Sequence, residues 1–132
     1  MLTPGAYLKC RRTAQGLSVA DVAAWLKTDP RTPEFGMIKW IEFIEADVMP
    51  ASFTTIVALR QVYRFDLEVL SCLEAIAQGY NVPPPRLCRI CACSRRDPCN
   101  DHGRGCAWVE TDLCTVCAPD HPASAALTAR AA

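Results

Sequence analysis

The sequence has no excess of charge of either sign and no long apolar run. Lysine and arginine number 14, aspartate and glutamate also number 14, and the formal net charge is therefore zero. No apolar stretch approaches the ~20 residues that a membrane-spanning helix needs, and the first residues lack the apolar core of a secretion signal. We therefore expect a cytoplasmic protein that does not attract membranes or nucleic acid by its overall charge.

The usual sequence signs of an enzyme are also missing. The chain has no Ser-His-Asp pattern, no phosphate-binding loop and no pair of catalytic carboxylates. Its cysteines do not follow the zinc-deaminase pattern, which needs a glutamate two residues after the first ligand. We therefore expect a protein that is not an enzyme, and a redox enzyme or metalloenzyme ranks below the two functions weighed at the end of this section.

Helical patterns account for the first 80 residues. Five helices are expected, over residues 4–15, 18–26, 32–46, 51–63 and 66–79. Ser18 with Asp21 three positions later forms an acidic variant of the capping box, Thr32 is the expected cap of the third helix, and Asp66 is the expected cap of the fifth. The sequence therefore predicts a mainly α protein with a five-helix body.

The chain divides at three consecutive prolines. Residues 1–80 form the expected helical domain, and "NVPPPR" at 81–86 is the expected linker, because proline cannot continue a helix and favours a stiff extended spacer. Residues 87–119 form a cysteine-rich module with few large apolar side chains, and the alanine-rich residues 120–132 are expected to be a frayed tail.

Two segments of the helical part resemble the lambda-repressor-like helix-turn-helix family of the Cro and XRE type. "YLKCRRTAQGLSVADVAAWL", residues 7–26, is similar to the first two helices of that family, and "EADVMPASFTTIVALRQVYRFDLEVL", residues 45–70, is similar to its acidic residue, loop and closing helices. The resemblance covers residues 3–75. It implies a five-helix DNA-binding domain that regulates transcription and reads DNA with the third helix.

The third helix departs from that family. The segment before it, "KTDPRTPEFG", is several residues longer than the family's turn, and Lys39 is the one basic residue of the helix. Its apolar residues spread over more than one face, which is typical of a helix buried in its own domain or against a partner chain, including a second copy. The candidate nucleic-acid contacts are Lys9, Arg11, Arg12, Arg31, Lys39, Arg95 and Arg96. Alternatively, these are solvated surface charges.

Seven of the nine cysteines lie between residues 87 and 119. In a reducing compartment such clusters indicate metal ligands more than disulfides. Two Cys-x2-Cys pairs separated by 22 residues have the spacing of a zinc site, because each short turn directs two sulfurs at one ion. The first expected site therefore consists of Cys88, Cys91, Cys114 and Cys117.

The remaining three cysteines of the segment indicate a second zinc site that lacks one ligand. Its expected ligands are Cys93, Cys99, Cys106 and His102, with Asp97 or His121 as alternatives for the fourth position. The ligands of the two sites can also interleave. We expect structural zinc, with two ions favoured over one. The segment has too little apolar surface to fold alone, and zinc contributes roughly 10 kcal/mol or more of folding free energy in such modules. An iron–sulfur cluster is the rival cofactor.

The cysteine segment, residues 86–117, is also similar to the tails of small uncharacterised proteins of phages and prophages. That resemblance implies a phage origin and no defined activity.

Two functions follow from the sequence. The first is a small zinc-containing DNA-binding regulator, and the alternative is a zinc-stabilised protein-interaction or structural module that does not read DNA.

Overall fold

The computed structural model describes residues 1–26 and 33–122, and this part of the chain is mainly helical. The five helices are α1 (Pro4–Ala14), α2 (Val19–Trp25), α3 (Glu34–Glu45), α4 (Phe53–Arg60) and α5 (Leu67–Ala77). The five expected helices are therefore confirmed, with shorter ends than expected for α4. Within the two described ranges, no helix combines the length and apolar character needed to cross a membrane.

Local capping explains where the helices begin. Ser18 and Asp21 form the expected capping box, in which the Ser18 side chain accepts from the Asp21 amide and the Asp21 carboxylate accepts from the Ser18 amide. Asp66 caps α5 by accepting from two amides of its first turn. Pro33, and not the expected Thr32, is the N-cap of α3, and it makes no side-chain capping hydrogen bond. Thr32 and Arg31 lie outside the described residues.

The core of the helical part forms where α1 packs on α3 and α5. Tyr7 and Leu8 of α1 are buried against Met37 and Ile41 of α3. Gly5 marks the closest approach, because a Cβ atom there would lie 2.4 Å from the Ile44 carbonyl oxygen. Only glycine fits this contact between two helix backbones.

A buried ion pair joins the same two helices. Two guanidinium nitrogens of Arg12 donate to the Glu45 carboxylate, Nε to Oε1 at 2.6 Å and Nη2 to Oε2 at 2.9 Å. The Arg12 Nη1 donates to the Leu17 carbonyl at 2.7 Å. This hydrogen bonding to Glu45 is the main cause of the raised pKa of Arg12, so the guanidinium stays charged although it is buried.

Two small antiparallel sheets follow the proline-rich segment. β1 (Asn100–Asp101) pairs with β2 (Arg104–Gly105), and β3 (Trp108–Glu110) pairs with β4 (Leu113–Cys114) across an irregularity between Trp108 and Glu110. The Arg86 guanidinium lies 4.3 Å from the centre of the Trp108 ring, which places Trp108 between the cysteines and the end of the proline-rich segment.

The cysteine segment is packed against the helical part. Leu87 packs on the helical core and Ala92 is fully buried in it. Arg11 of α1, only 2% exposed, donates to the Asp97 carboxylate at 3.0 Å and to the Cys91 carbonyl at 2.8 Å. Ser94 donates to the Asp66 side chain at 2.7 Å. The loop of residues 91–97 is therefore part of the surface on which α1 and α5 rest.

Candidate metal centre

The first three cysteines of the segment come together in one tight turn. Ala92 takes a left-handed conformation (φ 58°), and its amide donates to the Cys88 carbonyl at 2.9 Å. The Cys88 amide donates to the Cys93 carbonyl, and the Cys93 amide donates to the Cys91 sulfur at 3.4 Å. The short turn thus directs all three side chains to one side and gives one sulfur a hydrogen-bond donor, as metal-binding knuckles require.

The two hairpins bring in the other four cysteines. Cys99 and Cys106 flank the β1–β2 hairpin, where the Cys106 amide donates to the Cys99 carbonyl and the Cys99 amide donates to the Cys106 sulfur at 3.3 Å. Cys114 ends β4, and Cys117 follows in the next turn. Arg89 ties the first turn to the second hairpin by contacting both Glu110 and Asp112.

The sulfur atoms of these turns form a single cluster. Neighbouring sulfurs lie 3.5 Å (Cys91–Cys99), 3.7 Å (Cys93–Cys106) and 3.9 Å (Cys91–Cys114) apart. Two sets of four have all their sulfurs within 4.8 Å of one another, namely Cys88, Cys91, Cys93, Cys114 and Cys93, Cys99, Cys106, Cys114. All nine cysteines are free. Each set of four fits one tetrahedrally coordinated metal ion.

The electrostatics of the cluster favour a cation. Hydrogen bonding with Cys114 lowers the pKa of Cys91, and hydrogen bonding with Cys117 lowers that of Cys114. Hydrogen bonding with Cys114 raises the pKa of Cys93 and of Cys117. Thiols packed this closely cannot all ionise, because like charges disfavour one another. A divalent metal removes that conflict and deprotonates the thiols that bind it.

The predicted ligands are only partly arranged as expected. Cys88, Cys91 and Cys114 lie together with Cys93 in one four-sulfur group, and Cys117, 3% exposed, is outside that group. The side chain of His102 is 90% exposed at the tip of the β1–β2 hairpin and groups with Asp101 and His121, not with cysteines. The fourth sulfur near Cys93, Cys99 and Cys106 belongs to Cys114.

The two alternatives for that fourth ligand have other partners. Asp97 is buried and binds Arg11. The His121 Nε2 lies 2.9 Å from the Asp101 Oδ1. Among the described residues, the centre is therefore built from cysteine sulfurs, and the buried Arg11 guanidinium donates to the Cys91 carbonyl beside it.

The two cysteines outside the segment, Cys10 and Cys72, bond to backbone carbonyls. The Cys10 thiol donates to the Ile90 carbonyl at 3.3 Å, and burial raises its pKa. The Cys72 thiol donates to the Pro83 carbonyl at 3.3 Å. These two hydrogen bonds connect α1 and α5 to residues 83 and 90, on either side of the end of the proline-rich segment.

Four of the six described candidates for nucleic-acid contact pair with carboxylates. Arg11 and Arg12 are 2% and 6% exposed and bind carboxylates, which leaves neither guanidinium at the surface to meet a phosphate. Arg96 pairs with Glu68, and Lys39 pairs with Glu42 at 3.4 Å. The other two described candidates, Lys9 and Arg95, are exposed.

Sequence reasoning missed two features of this region. Nothing in the spacing indicated that Cys114 lies within reach of both groups of cysteines, and nothing indicated that Arg11 is an internal residue. A comparison of the chain with protein-family models, with curated proteins and with solved structures finds no match. The geometry of the described residues alone therefore carries the functional argument.

Proposed function

We propose that the seven clustered cysteines hold two structural zinc ions, and that the chain is a zinc-stabilised interaction module without catalytic activity. Its interaction surface is the exposed face of α3, and the partner is a second copy of the chain. The observation that carries the proposal is that this face exposes two phenylalanines, Phe35 and Phe43. A helix-turn-helix protein would use the same face to read DNA.

The sulfur distances support zinc. Tetrahedral coordination with zinc–sulfur bonds near 2.3 Å puts the sulfurs about 3.8 Å apart. Within the two four-sulfur sets, the separations of 3.9 Å (Cys91–Cys114) and 3.7 Å (Cys93–Cys106) match that value. An iron–sulfur cluster places several iron and sulfide atoms between its cysteine ligands, which needs a wider spacing. Buried all-sulfur ligand sets that leave no position for water are typical of structural zinc.

The exposed face of α3 has the wrong chemistry for base reading. Phe35 and Phe43 are 74% and 44% exposed, and both phenylalanines lie on one stripe with Lys39. Lys39 is bound to Glu42 on the same surface. Phenylalanine gives no hydrogen bonds to base edges, and glutamate lowers affinity for phosphates. Large apolar side chains exposed together indicate a protein interface.

The order of side chains on this stripe is self-complementary. Phe35 and Phe43 lie four residues to either side of Lys39, about 6 Å away along the helix axis in each direction. Two copies of α3 packed antiparallel about a two-fold axis at Lys39 place Phe35 of one copy on Phe43 of the other. An interface of this kind uses the same patch on both copies. Glu42 then offsets the two lysines that meet at the axis.

The oligomeric state tests this proposal. Sedimentation velocity of the zinc-loaded protein is expected to show a dimer at tens of micromolar, and the double variant Phe35→Ser/Phe43→Ser is expected to be a monomer. Phe53→Ser is the control, because Phe53 is about as exposed as Phe35 (78% against 74%) but lies on α4. A wild-type protein that stays monomeric at these concentrations, or a control that dissociates as readily as the double variant, contradicts the proposed interface.

A second candidate is DNA binding by the helix-turn-helix resemblance. The observation that favours it is the Arg12–Glu45 pair, which joins the two segments that carry the resemblance. The contacts would come from the exposed Lys9 and Arg95. Gel-shift titration with mixed-sequence duplex DNA tests it: salt-sensitive binding that weakens in Lys9→Glu/Arg95→Glu supports it, and no binding at micromolar protein contradicts it.

A further inference from the structure

We infer that the two ions share the thiolate of Cys114, so that the seven cysteines form one binuclear centre and not two separate sites. The inference deepens the proposed zinc binding and rests on it. In this arrangement Cys88, Cys91, Cys114 and Cys117 surround the first ion, and Cys93, Cys99, Cys106 and Cys114 surround the second.

A count of ligands requires a shared sulfur. Two tetrahedral ions need eight coordination positions, and the segment has seven cysteines. The expected eighth ligand, His102, projects from the tip of its hairpin with a side chain 90% exposed. Since no histidine, aspartate or glutamate groups with these sulfurs in the described part of the chain, a shared sulfur is the protein ligand at hand for the eighth position.

Cys114 is in the position to be that sulfur. Cys93, Cys99 and Cys106 form a four-sulfur group only with Cys114. The same Cys114 sulfur lies 3.9 Å from that of Cys91 and groups with that of Cys88, and Cys117 follows Cys114 at Cys-x2-Cys spacing. Because Cys114 ends β4 between the two sets of turns, its side chain is the point at which both sets meet.

Cys93 is the rival bridge, because it also belongs to both four-sulfur groups. If Cys93 and Cys114 both bridged, six cysteines would complete both sites and Cys117 would have no ion to bind. Cys117 is 3% exposed, and it forms the second Cys-x2-Cys pair with Cys114. With Cys117 on the first ion, Cys93 is needed only on the second, where its sulfur lies 3.7 Å from that of Cys106.

The shared thiolate has a consequence that separates it from independent sites. Removing Cys117 takes a ligand from one ion, whereas removing Cys114 takes a ligand from both. Replacement of His102 takes a ligand from neither. The number of retained ions in each variant is therefore set by how the ligands are shared.

Cadmium-113 NMR of the full chain, loaded with ¹¹³Cd²⁺ in place of zinc, measures the bridge directly. The expected spectrum has two resonances, both in the range of four-sulfur coordination, split by a scalar coupling between the two cadmium nuclei through the common sulfur. Two uncoupled resonances, or a resonance in the range of three sulfurs and one nitrogen that shifts in His102→Ala, overturn the inference while leaving the proposed metal binding intact.

Native mass spectrometry of zinc-loaded variants gives the second measurement. We expect two ions in the wild type and in His102→Ala, at most one tightly held ion in Cys117→Ser, and loss or at least hundredfold weakening of both in Cys114→Ser. Cys72→Ser is the matched control, because that thiol binds the Pro83 carbonyl and no other cysteine, and it is expected to retain two ions. Two tightly held ions in Cys117→Ser overturn the single bridge in favour of six ligands. A wild type with one ion also overturns the inference, and a wild type with none overturns the proposed zinc function itself.

Discussion

Arg12 and Glu45 are 33 positions apart in the chain, and both are buried where α1 meets α3. Their two contacts, at 2.6 and 2.9 Å, satisfy both ends of the pair. A buried charge without its partner is far more costly than an exposed one, because it keeps its desolvation penalty and loses its attraction. The pair therefore tests whether α1 and α3 meet as described.

Arg12→Met or Glu45→Met alone is expected to lower the free energy of unfolding by about 3–5 kcal/mol, because each leaves an unpaired buried charge. The double variant is expected to lose much less than the sum of the two. Denaturant titration of the zinc-loaded protein measures the coupling. The exposed pair Arg96–Glu68 is the control, with an expected coupling of about 1 kcal/mol or less. Equal coupling in both pairs would show that Arg12 is not buried.

Gly5→Ala is expected to destabilise the protein by about 1–3 kcal/mol, because the new methyl group has no space between α1 and the end of α3. A Cβ atom at this position lies 2.4 Å from the Ile44 carbonyl oxygen and 2.7 Å from that of Glu45. Thermal unfolding followed by circular dichroism checks it. Lys9→Ala, on the exposed side of the same helix, is the control and is expected to change stability by about 0.5 kcal/mol or less. A neutral Gly5→Ala would mean that the two helices lie further apart.

The helices could be predicted because the sequence patterns that start them are local. The Ser18–Asp21 box and the Asp66 cap act within three residues of the helix start, and sequence shows such patterns directly. The burial of Arg11 could not be predicted, because its partner Asp97 is 86 positions away in the chain. The same limit applies to the second set of cysteines. Spacing predicted that Cys93, Cys99 and Cys106 bind metal, but the sulfur that groups with them, Cys114, comes from another hairpin.

The β1–β2 hairpin provides a prediction about His102, which was expected to bind metal. His102 and Gly103 both have positive φ, at 52° and 83°, and asparagine followed by glycine is the preferred pair for such turns. His102→Asn is therefore expected to retain both ions and to raise stability by a few tenths to about 1 kcal/mol. Thermal unfolding together with zinc analysis tests this. A loss of stability and of one ion would instead show that His102 is a ligand.

The cysteine segment and the helices are joined by contacts that stabilise both. Ala92 is buried in the helical core, Arg11 binds the Cys91 carbonyl, and Ser94 binds the cap of α5. These contacts depend on the shape of the turn formed by Cys88, Cys91 and Cys93, which are proposed to bind metal. Loss of metal is therefore expected to affect α1 and α5 as well as the cysteine segment itself.

The central claim of this account is that metal–thiolate bonds, and not an apolar core, hold residues 88–117 in place. Hydrogen–deuterium exchange of the zinc-loaded protein, before and after removal of zinc by a strong chelator, tests it most directly. We expect amides such as those of Cys93, Cys99 and Cys106 to be protected with zinc and to exchange at nearly unfolded rates without it, with a smaller loss of protection in α1 and α5. Unchanged protection of residues 88–117 in the metal-free protein would contradict the claim.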